Sequence, residues 1–553
     1  MYLKYIKIMS DLNILSLYFV CNQFGGVRKK WVKLHHNGVI FPPEYQPHHL
    51  PIKYNGQEVY LSPNLEEIAT FYAKYLKTEY VENKTFNKNF WLDFKKILDK
   101  DPNNIIKEFD KIDFTPIYNY LEEQKELNKN KSKDEKDLEK QEKSLSEEKY
   151  KYAYIDDKKE PVGNYRVEPP GIFLGRGTHP KIGKLKKRIY PEDVTLNLST
   201  DAPIPETIPG HKWGKIVHDR TVDWLASWKD PISNKLKYVW LGTQSELKGQ
   251  HDMEKFDLAR KLKRKIKTIR EQYFKDMEND QDLKLKQIAT AVYLIDTFAL
   301  RVGNEKGDDV ADTVGVTSLR VEHVTLLDSG MIKLDFLGKD SVRYMNVAPV
   351  PEIVYDNLKD FIKNKSKDDQ LFDLTTSNDI NKYLQQFMKN LTAKVFRTFN
   401  ASFLFSQELR KITRRFENYD KEDKQKILLE NFNKANIKVA KLCNHQKNVS
   451  KSYSQQIEKI NEQIKDMRSK LRAAKTPNKK ANLRKKLKGL KNKKQVKSET
   501  KNISLGTSKI NYIDPRITVA FIKQNNIPPE KLFTKALIDK FKWAFNITKD
   551  FKF

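Results

Sequence analysis

The residues best suited to chemistry are one tyrosine near the C-terminus and four cationic or imidazole side chains that precede it. They are Tyr512, Arg301, Lys339, Arg397 and His445. A phosphodiester is anionic and resists attack, so its transfer requires a nucleophile, positive charge at the non-bridging oxygens and a proton for the leaving oxygen. These residue types provide all three, and they predict cutting of one DNA strand through a protein–phosphate bond.

Each of the five side chains can be given a role in this transfer. Tyr512 is the candidate nucleophile, because its phosphodiester can be attacked again by a hydroxyl without ATP. Arg301 and Arg397 carry planar guanidinium groups that suit phosphate oxygens. Lys339 is the candidate general acid for the 5′ oxygen, and His445 the candidate hydrogen-bond donor to a non-bridging oxygen. Taken singly, each residue type more often has a structural role, so the interpretation depends on the set.

Metal and cofactor sites are disfavoured by the sequence. Two cysteines, Cys21 and Cys443, are too few for a disulfide framework or a thiolate cage. We expect Cys443 to pack as a small apolar residue beside His445, which has no neighbouring Cys/His or His-Glu-x-x-His pattern for zinc. The glycines near Gly338 and in Gly171–Gly177 have neither P-loop nor dinucleotide spacing. The sequence does not exclude a magnesium site, but the cationic groups can provide the positive charge that a metal would supply. We therefore predict no metal and no cofactor.

The charge balance concerns partners rather than fold. The chain has 553 residues with 104 Lys and Arg against 73 Asp and Glu, a formal net charge of +31. Nucleic acid is the leading partner, because each neutralised phosphate releases a condensed counterion. An anionic membrane surface and a merely solvated lysine-rich surface are the alternatives, and the sequence has no apolar span long enough to cross a bilayer. At roughly 150 residues per domain, the length suggests three or four domains.

The first thirty residues are unlike the rest. Lys4 and Lys7 precede an apolar run, which faintly resembles a signal peptide, but Asp11 interrupts it and no Ala-x-Ala site follows. We interpret residues 1–30 as a divergent tail, an organelle signal or a wrongly assigned start, in preference to a secretion signal.

The elements that would position the five side chains can be read from periodicity. A buried helix is predicted over Leu283–Leu300, which places Arg301 at a helix end. Strands are predicted over Ser318–Tyr344, with Lys339 in the turn between two of them, and helices from Pro351 to His445. In the first half, Val222–Trp228 and Tyr238–Leu241 are predicted strands. The charged segment from Tyr118 to Tyr150 is a long exposed helix, a charged linker or a disordered segment.

Between His445 and Tyr512 lies a heptad-like pattern. Its apolar residues follow spacings of four and three: Tyr453, Ile457, Ile460, Ile464, Met467 and Leu471. Thr476-Pro477-Asn478 interrupts the pattern, which continues at Leu483, Leu487 and Leu490. The pattern predicts an antiparallel coiled-coil hairpin, so the final segment must fold back if Tyr512 is to join the other residues.

In this order and context, the residues resemble the eukaryotic nuclear type IB DNA topoisomerases, from about Trp31 to Phe553. The resemblance assigns the nucleophile to Tyr512 of a Ser-Lys-x-Asn-Tyr motif and the other catalytic roles as given above. It also implies contacts with DNA and with camptothecin-class inhibitors. The DNA-binding candidates are Arg176, Lys181, Lys248, Asn304, Asp340 and Asn511.

The resemblance implies an α+β multidomain protein, shaped as a two-lobed DNA clamp. Its parts would be a tail (1–30), a mixed α/β cap lobe (31–244), a mostly helical catalytic lobe similar to tyrosine recombinases (245–446), an antiparallel coiled-coil linker (447–501) and a C-terminal domain with the tyrosine (502–553). The family usually carries a long charged N-terminal region with nuclear import signals. We expect this region to be missing here and nuclear entry to use internal basic runs.

Two positions depart from the family pattern. Leu174 stands where relatives often have a second arginine, which puts one DNA or clamp contact in question. The stretch Gly307–Val310 is one residue short, and Asp309 is our substitute for the acid that would pair with Lys181.

The expected activity is relaxation of positive and negative supercoils by a nuclear monomer acting on duplex DNA, with no membrane association. A tyrosine recombinase and a non-catalytic DNA clamp are the competing hypotheses. The recombinase would need sequence-specific synapsis of several protomers, and the clamp would form no covalent bond with DNA.

Overall fold

The computed structural model describes residues 29–553, except residues 103, 306, 308–309, 420–422, 448 and 450–451. The predicted tail, apart from Lys29 and Lys30, and the predicted partner Asp309 therefore lie outside the described residues. The described chain forms two compact units, each mixing helices and strands. The first unit comprises residues up to Gly175 together with Pro180–Lys248, and the second comprises Arg176–His179 together with Gly249–Phe553. In the described part of the chain, no helix is long and apolar enough to cross a membrane.

The first unit contains several small sheets. The largest has the strand order β10-β9-β11-β12, with a parallel β10–β9 pair and antiparallel pairs elsewhere. Its strands are β9 (Thr195–Asn197), β10 (Lys215–Val217), β11 (Trp224–Lys229) and β12 (Leu236–Trp240). The other strands are β1 (Leu34–His36), β2 (Ile52–Tyr54), β3 (Gln57–Val59), β4 (Ile112–Asp113), β5 (Tyr152–Ile155), β6 (Lys158–Pro161), β7 (Gly171–Ile172) and β8 (Leu185–Lys186). Strands β11 and β12 confirm the two predicted strands.

A bulge in β11 explains why the alternation in its sequence is imperfect. The pairing with β12 shifts register between Trp224 and Ala226. The extra residue, Leu225, is buried. A bulge adds one residue to a strand without a partner opposite, and this breaks the strict alternation of apolar and polar positions.

The charged segment of the first unit is helical. The helices of this unit are α1 (Pro63–Ala73), α2 (Lys84–Leu98), α3 (Thr115–Asn130) and α4 (Lys133–Ser146). Helix α4 begins with a capping box, in which the Glu135 backbone N–H donates to Ser132 Oγ at 3.1 Å and the Ser132 N–H donates to Glu135 Oε2 at 2.7 Å. Of the interpretations left open, the exposed helix is confirmed, but as two helices.

The second unit has a largely helical core with one three-stranded antiparallel sheet. The sheet consists of β13 (Val324–Leu327), β14 (Met331–Gly338) and β15 (Val342–Pro349). The helices are α5 (Glu246–Met277), α6 (Leu283–Phe298), α7 (Glu352–Ile362), α8 (Ser377–Gln385), α9 (Ala393–Arg415), α10 (Lys424–Leu442), α11 (Tyr453–Ala473), α12 (Pro477–Glu499), α13 (Leu505–Asn511), α14 (Pro515–Gln524) and α15 (Lys535–Lys540). Helix α6 is buried along most of its length, as its apolar sequence predicts.

Helices α11 and α12 pack against each other across a short connection, residues 474–476. The break predicted at Thr476 is confirmed, because α12 begins with Pro477 in its first turn. Ile460 and Ile464 of the apolar pattern are buried, whereas the lysine-rich α12 has no buried residue. The pair returns the chain to the core, where Ile503 packs against α10.

Candidate active site

A cavity of about 140 Å³ in the second unit collects residues that are far apart in the sequence. Five of the predicted site residues line it: Arg301, Lys339, Asp340, Arg397 and His445. They come from the end of α6, the β14–β15 turn, α9 and the end of α10. The sheet and these three helices together therefore bring cationic, acidic and imidazole groups to one place.

Tyr512, which follows the α11–α12 pair in the sequence, completes this cluster. Its ring stacks on His445 with centroids 5.1 Å apart and an interplanar angle of 28°, and the Arg397 guanidinium lies 5.0 Å from its ring centroid. Ser402 of α9 fixes the Tyr512 backbone by donating from Oγ to its carbonyl at 2.9 Å and accepting from the Asp514 N–H at 2.9 Å. The phenol is thus held next to the helix that carries Arg397.

The surrounding charges change the acidity of the Tyr512 phenol. Burial raises its pKa, but the positive charges of Arg397 and Arg301 outweigh burial, and the pKa of Tyr512 lies below its ordinary value. Opposite charges within a few ångströms favour the ionised form. The arrangement therefore makes this phenol easier to ionise than an ordinary tyrosine, and the ionised form is the nucleophile.

The His445 backbone is fixed by the C-terminus of α10. Asn444 has a left-handed φ of 50°, and the His445 N–H donates to the Ala440 carbonyl at 2.9 Å. This is the 6→1 bond that closes many helices. The backbone turn directs the imidazole towards Tyr512 rather than along the helix.

The two ring nitrogens of His445 differ. Nδ1 lies 2.7 Å from Ser508 Oγ, whereas the buried Nε2 has no hydrogen-bond partner among the described residues. Burial, together with the charges of Arg397 and Arg301, lowers the pKa of His445 to about 3. The ring is therefore neutral near pH 7, and one of its nitrogens is available to a ligand.

Arg397 is held by backbone carbonyls. It donates to the Ala299 carbonyl and, at 2.9 Å, to the Cys443 carbonyl, while its buried Nε is unpartnered among the described residues. None of the ion pairs found among the described residues joins Arg397 to a carboxylate, and the acceptors of these two hydrogen bonds are backbone carbonyls. Cys443 itself is buried and its pKa is raised by burial, so its predicted packing role is confirmed.

Arg301 follows α6 through a tight backbone crossing. Helix α6 ends at Phe298, the next residue, Ala299, has a left-handed φ of 49°, and the Val316 N–H donates to the Arg301 carbonyl at 2.9 Å. A Cβ on Gly303, whose φ is 87°, would lie 2.7 Å from the Gly315 Cα, so this crossing requires glycine. Arg301 as a whole is exposed, yet loss of water at its guanidinium and the charge of Arg397 lower its pKa.

Lys339 begins the turn between β14 and β15 and is exposed at the cavity. The next residue, Asp340, has a left-handed φ of 67° and pairs with Arg176 at 2.6 Å. Asn444 Nδ2 and Gln446 Nε2 both donate to the Arg343 carbonyl in β15, at 3.1 and 3.2 Å. The residues on either side of His445 therefore hold the hairpin that carries Lys339.

The other predicted DNA-binding residues have varied surroundings. Asn511 is exposed at the end of α13, where its side chain donates to the Thr507 carbonyl at 3.3 Å, and Asn304 is exposed in the segment after Arg301. In the first unit, Lys181 donates to the Ile232 carbonyl at 3.1 Å. Lys248 pairs with Asp223 at 3.3 Å and lies 4.6 Å from the Trp240 ring centroid. These contacts do not test a role in DNA binding, which stays a prediction.

Two further features bear on the earlier predictions. Leu174 packs against the apolar cluster of the first unit that contains α1 and α2, so its side chain contributes to the core. Among the described residues, no group of three or more His, Cys, Asp or Glu side chains could hold a metal ion.

Sequence reasoning gave no role to several residues that organise the site. Ser508 lies in the quoted motif four residues before Tyr512, so the motif itself was the available signal. Ser402, Asn444 and Gln446 act through long-range contacts with Tyr512 and Arg343. No local pattern announces such contacts.

Comparison with protein families covers almost all of the described chain. Residues 29–241 match the DNA binding fragment of eukaryotic DNA topoisomerase I, and residues 244–478 match the catalytic core of the same family. Residues 484–553 match the C-terminal topoisomerase domain. The five cavity-lining residues lie in the catalytic-core match, and Tyr512 lies in the C-terminal match.

Curated relatives agree with these matches. The chain is 46% identical to DNA topoisomerase 1 beta of Arabidopsis thaliana, with 96% of this chain and 60% of that protein covered. It is 44% identical to DNA topoisomerase 1 of Caenorhabditis elegans, covering 94% of this chain and 67% of that protein. It is 42% identical to DNA topoisomerase 1 of Homo sapiens, covering 95% and 72% respectively. The match thus spans 60% of the length of the Arabidopsis relatives.

Proposed function

The chain belongs to the eukaryotic DNA topoisomerase I family, and from this premise we propose that it relaxes supercoiled duplex DNA without ATP. It would cut one strand, let the downstream duplex turn and reseal the strand. One observation carries the proposal: the Tyr512 phenol, with its lowered pKa, lies against Arg397 and His445. A buried core tyrosine would show the opposite shift, as Tyr273 does.

The cleavage step balances with the groups present. The Tyr512 phenol gives its proton to solvent water, its oxygen forms a bond to phosphorus, and the bond between phosphorus and the 5′ oxygen breaks. Lys339 donates a proton to the departing 5′ oxygen, which leaves as a hydroxyl. The product is a 3′-phosphotyrosine and a free 5′ hydroxyl, and attack by that hydroxyl reverses each of these changes.

The remaining groups stabilise the charge on the phosphorus centre. Arg301 and Arg397 place positive charge at the non-bridging oxygens, and the unpartnered Nε2 of His445 supplies a further hydrogen bond when it carries a proton. Because Arg397 and His445 are held by hydrogen bonds before DNA arrives, they need little rearrangement during the reaction. Removing one such donor typically costs about 10²- to 10³-fold in rate.

The finer architecture is part of the same proposal. The predicted cap lobe, residues 31–244, and the predicted recombinase-like catalytic lobe, residues 245–446, would act as a clamp on DNA. Residues 447–501 would form the antiparallel coiled-coil linker, and 502–553 the C-terminal domain. The protein would act as a nuclear monomer in replication and transcription, and camptothecin-class compounds would bind at its DNA complex. Lys and Arg contacts with phosphates predict binding that weakens steeply with salt.

Relaxation of a negatively and of a positively supercoiled plasmid, with EDTA and without ATP, tests the proposal. We expect the unmodified chain to relax both and to form a covalent DNA adduct when denaturant stops the reaction. Tyr512→Phe should lose relaxation and adduct together, because it removes only the attacking oxygen. Tyr355→Phe, which removes a phenol oxygen from α7, is the matched control and should retain both.

Other outcomes would favour the competing hypotheses. Full relaxation by Tyr512→Phe would end the assignment. Tight binding without any adduct in the unmodified chain would indicate a non-catalytic DNA clamp. Activity that depends on a particular DNA sequence and on several protomers would indicate a tyrosine recombinase.

A further inference from the structure

The hydrogen bond between His445 and Ser508 leaves one question that the proposed chemistry depends on. A neutral imidazole carries its proton on either Nδ1 or Nε2, and the other nitrogen is then only an acceptor. Only the form with Nε2–H can donate a hydrogen bond to a phosphate oxygen from the free side of the ring. The form with Nδ1–H would present a lone pair to the anionic phosphate.

We propose that Ser508 is a positioning residue that donates its hydroxyl proton to Nδ1 of His445 and so holds the histidine as the Nε2–H tautomer. Ser508 is fully buried, and its Oγ lies 2.7 Å from Nδ1. Nε2 is buried without a partner among the described residues, so its hydrogen-bonding capacity is left for a ligand. A buried polar group without a partner is costly, which indicates that a site is preorganised for something that binds there.

Ser508 also controls the nucleophile through its backbone. Its carbonyl accepts from the Tyr512 N–H at 3.0 Å and from the Ile513 N–H at 2.9 Å. One residue of α13 therefore bonds to the ring of His445 with its side chain and to the segment of Tyr512 with its main chain. The relative placement of the donor and the nucleophile is set at a single residue.

At His445 it is the tautomer of the ring, and not its charge, that decides whether Nε2 can donate a hydrogen bond. Burial and the two neighbouring arginines keep the pKa of His445 far below neutral, so the ring carries one proton near pH 7. With an imidazolium, both nitrogens would be donors and Ser508 would have no influence on the choice. With a neutral ring, a hydroxyl that donates to Nδ1 leaves the ring proton on Nε2, so the direction of this one hydrogen bond decides which nitrogen can donate.

The tautomer part of this proposal concerns the free protein, whereas its link to catalysis rests on the proposed function. The first experiment is therefore ¹⁵N NMR of the full chain with labelled histidine, since the two tautomers give distinct nitrogen shifts. The His445 signal is identified by its loss in His445→Gln. We expect Nε2–H in the unmodified chain and a mixture of tautomers in Ser508→Ala. A predominantly Nδ1–H ring in the unmodified chain would overturn the proposal, whatever the variant does.

The second experiment measures cleavage of a DNA duplex at saturating protein concentration. Ser508→Ala should cleave about five- to tenfold more slowly, the size of one neutral hydrogen bond, with DNA affinity unchanged. Ser508→Cys retains a donor of similar size, although a weak one, and should lie between the two. The control is Ser406→Ala, which removes another buried hydroxyl, on α9, and should match the unmodified chain.

The outcomes separate the two proposals. An unmodified chain with Nε2–H that fails to relax DNA contradicts the proposed function and leaves the tautomer assignment standing. A chain that relaxes DNA while Ser508→Ala keeps the Nε2–H tautomer and full cleavage contradicts the role of Ser508 alone. If Ser508→Ala does not fold, the tautomer in the unmodified chain and the rate of Ser508→Cys still decide the question.

Discussion

Two buried histidines, one in each unit, show how differently the same side chain can be used. In the first unit, Nε2 of His36 lies 3.0 Å from the Asn197 carbonyl, and Nδ1 accepts from the Gly38 N–H at 3.0 Å. In the second unit, His445 has a hydroxyl partner at Nδ1 and none among the described residues at Nε2. Burial lowers the pKa of both, to about 4 and about 3 respectively, so both are neutral near pH 7.

Two buried arginines within the second unit repeat this contrast. Arg516 pairs with the fully buried Asp514 at 2.9 Å and with Asp257 at 2.8 Å. Arg397 donates to two backbone carbonyls and lies against the Tyr512 ring, and its Nε is unpartnered in the described part of the chain. The positive charge of Arg516 is balanced by carboxylates within the protein. The positive charge of Arg397 has no carboxylate partner among the described residues, so it can act on a bound anion.

Structural and chemical roles are therefore separated better by saturation than by residue type. We call a buried polar side chain saturated when its hydrogen-bonding and charged atoms find their partners within the chain. A group whose bonds are all made within the chain contributes to stability, because breaking them leaves a buried polar group unpaired. A group such as His445 or Arg397, with a buried nitrogen that has no partner among the described residues and a tyrosine of lowered pKa beside it, can complete its hydrogen bonds only when a ligand binds. This comparison makes opposite predictions for stability and for catalysis.

The largest expected effect is on folding, at the saturated arginine. Arg516→Ala leaves Asp514 buried without its partner, and removing one member of a buried ion pair typically costs about 3–5 kcal/mol. Urea unfolding should show a loss of that size. The control, Arg414→Ala, removes an exposed arginine near the end of α9 and should change the free energy of unfolding by no more than about 0.5 kcal/mol. An equally small loss for Arg516→Ala would break the comparison.

The next effect is on chemistry, at the unsaturated arginine. Arg397→Ala removes charge from the phosphate site, so single-turnover DNA cleavage should fall about 10²- to 10³-fold, or about 2.7–4 kcal/mol. Its unfolding free energy should fall less than that of Arg516→Ala, since no carboxylate of the described residues loses a partner. Cleavage within tenfold of the unmodified rate, with a large loss of stability, would assign Arg397 to the structural class.

Much of the fold was predictable because it depends on local periodicity. The buried helix α6, the strands β11 and β12 and the helix break at Thr476 all follow from patterns of apolar residues, prolines and caps. The bulge at Leu225 was visible only as a blurred alternation, because its cause is a register shift against β12. The charged segment of α3 and α4 was ambiguous, because few apolar residues there report on packing.

The sequence predicted which side chains gather at the candidate site, but not which residues hold them in place. Tyr512, Arg301, Arg397 and His445 come together as the motif context predicts, and Lys339 lines the same cavity. Residues that act through one long-range bond, such as Ser402, leave no periodic trace in the sequence. The distinction between His36 and His445 was also inaccessible, because it depends on which ring nitrogens find partners after folding.

The acid dependence of stability tests the saturated histidine. The pKa of His36 in the folded chain, about 4, lies below its ordinary value of 6.5, so the unfolded chain binds more protons between these values. Stability from neutral His36 is therefore present above pH 6.5 and is lost as the pH falls towards 4, by up to about 3 kcal/mol. His36→Asn removes the titrating ring and should flatten the fall in urea unfolding free energy over this range.

The matched variant sharpens the same test. His445→Asn should also flatten the fall, because its pKa is lowered as well, but only His445→Asn should reduce DNA cleavage. A cleavage defect in His36→Asn that exceeds its loss of folded protein would contradict the division between the two histidines.

The smallest effect is expected for a hydrogen bond that lies next to the cavity and supports the hairpin of Lys339. Gln446 donates to the Arg343 carbonyl at 3.2 Å, next to Asn444, which makes a parallel bond at 3.1 Å. Gln446→Ala loses one of the two side-chain bonds that tie the segment of His445 to the hairpin of Lys339, so cleavage should slow by about fivefold, close to the value of one hydrogen bond. Gln455→Ala, an exposed glutamine of α11, is the control and should leave the rate unchanged.

The substrate decides whether this loss acts through Lys339. A DNA with sulfur in place of the bridging 5′ oxygen has a leaving group that needs no proton, so general acid catalysis contributes little to its departure. Gln446→Ala should therefore cleave that DNA at the unmodified rate, while Arg397→Ala stays slow because the charge at the non-bridging oxygens is still missing. An equal defect of Gln446→Ala on both substrates would show that the bond supports the cavity as a whole rather than the placement of the lysine.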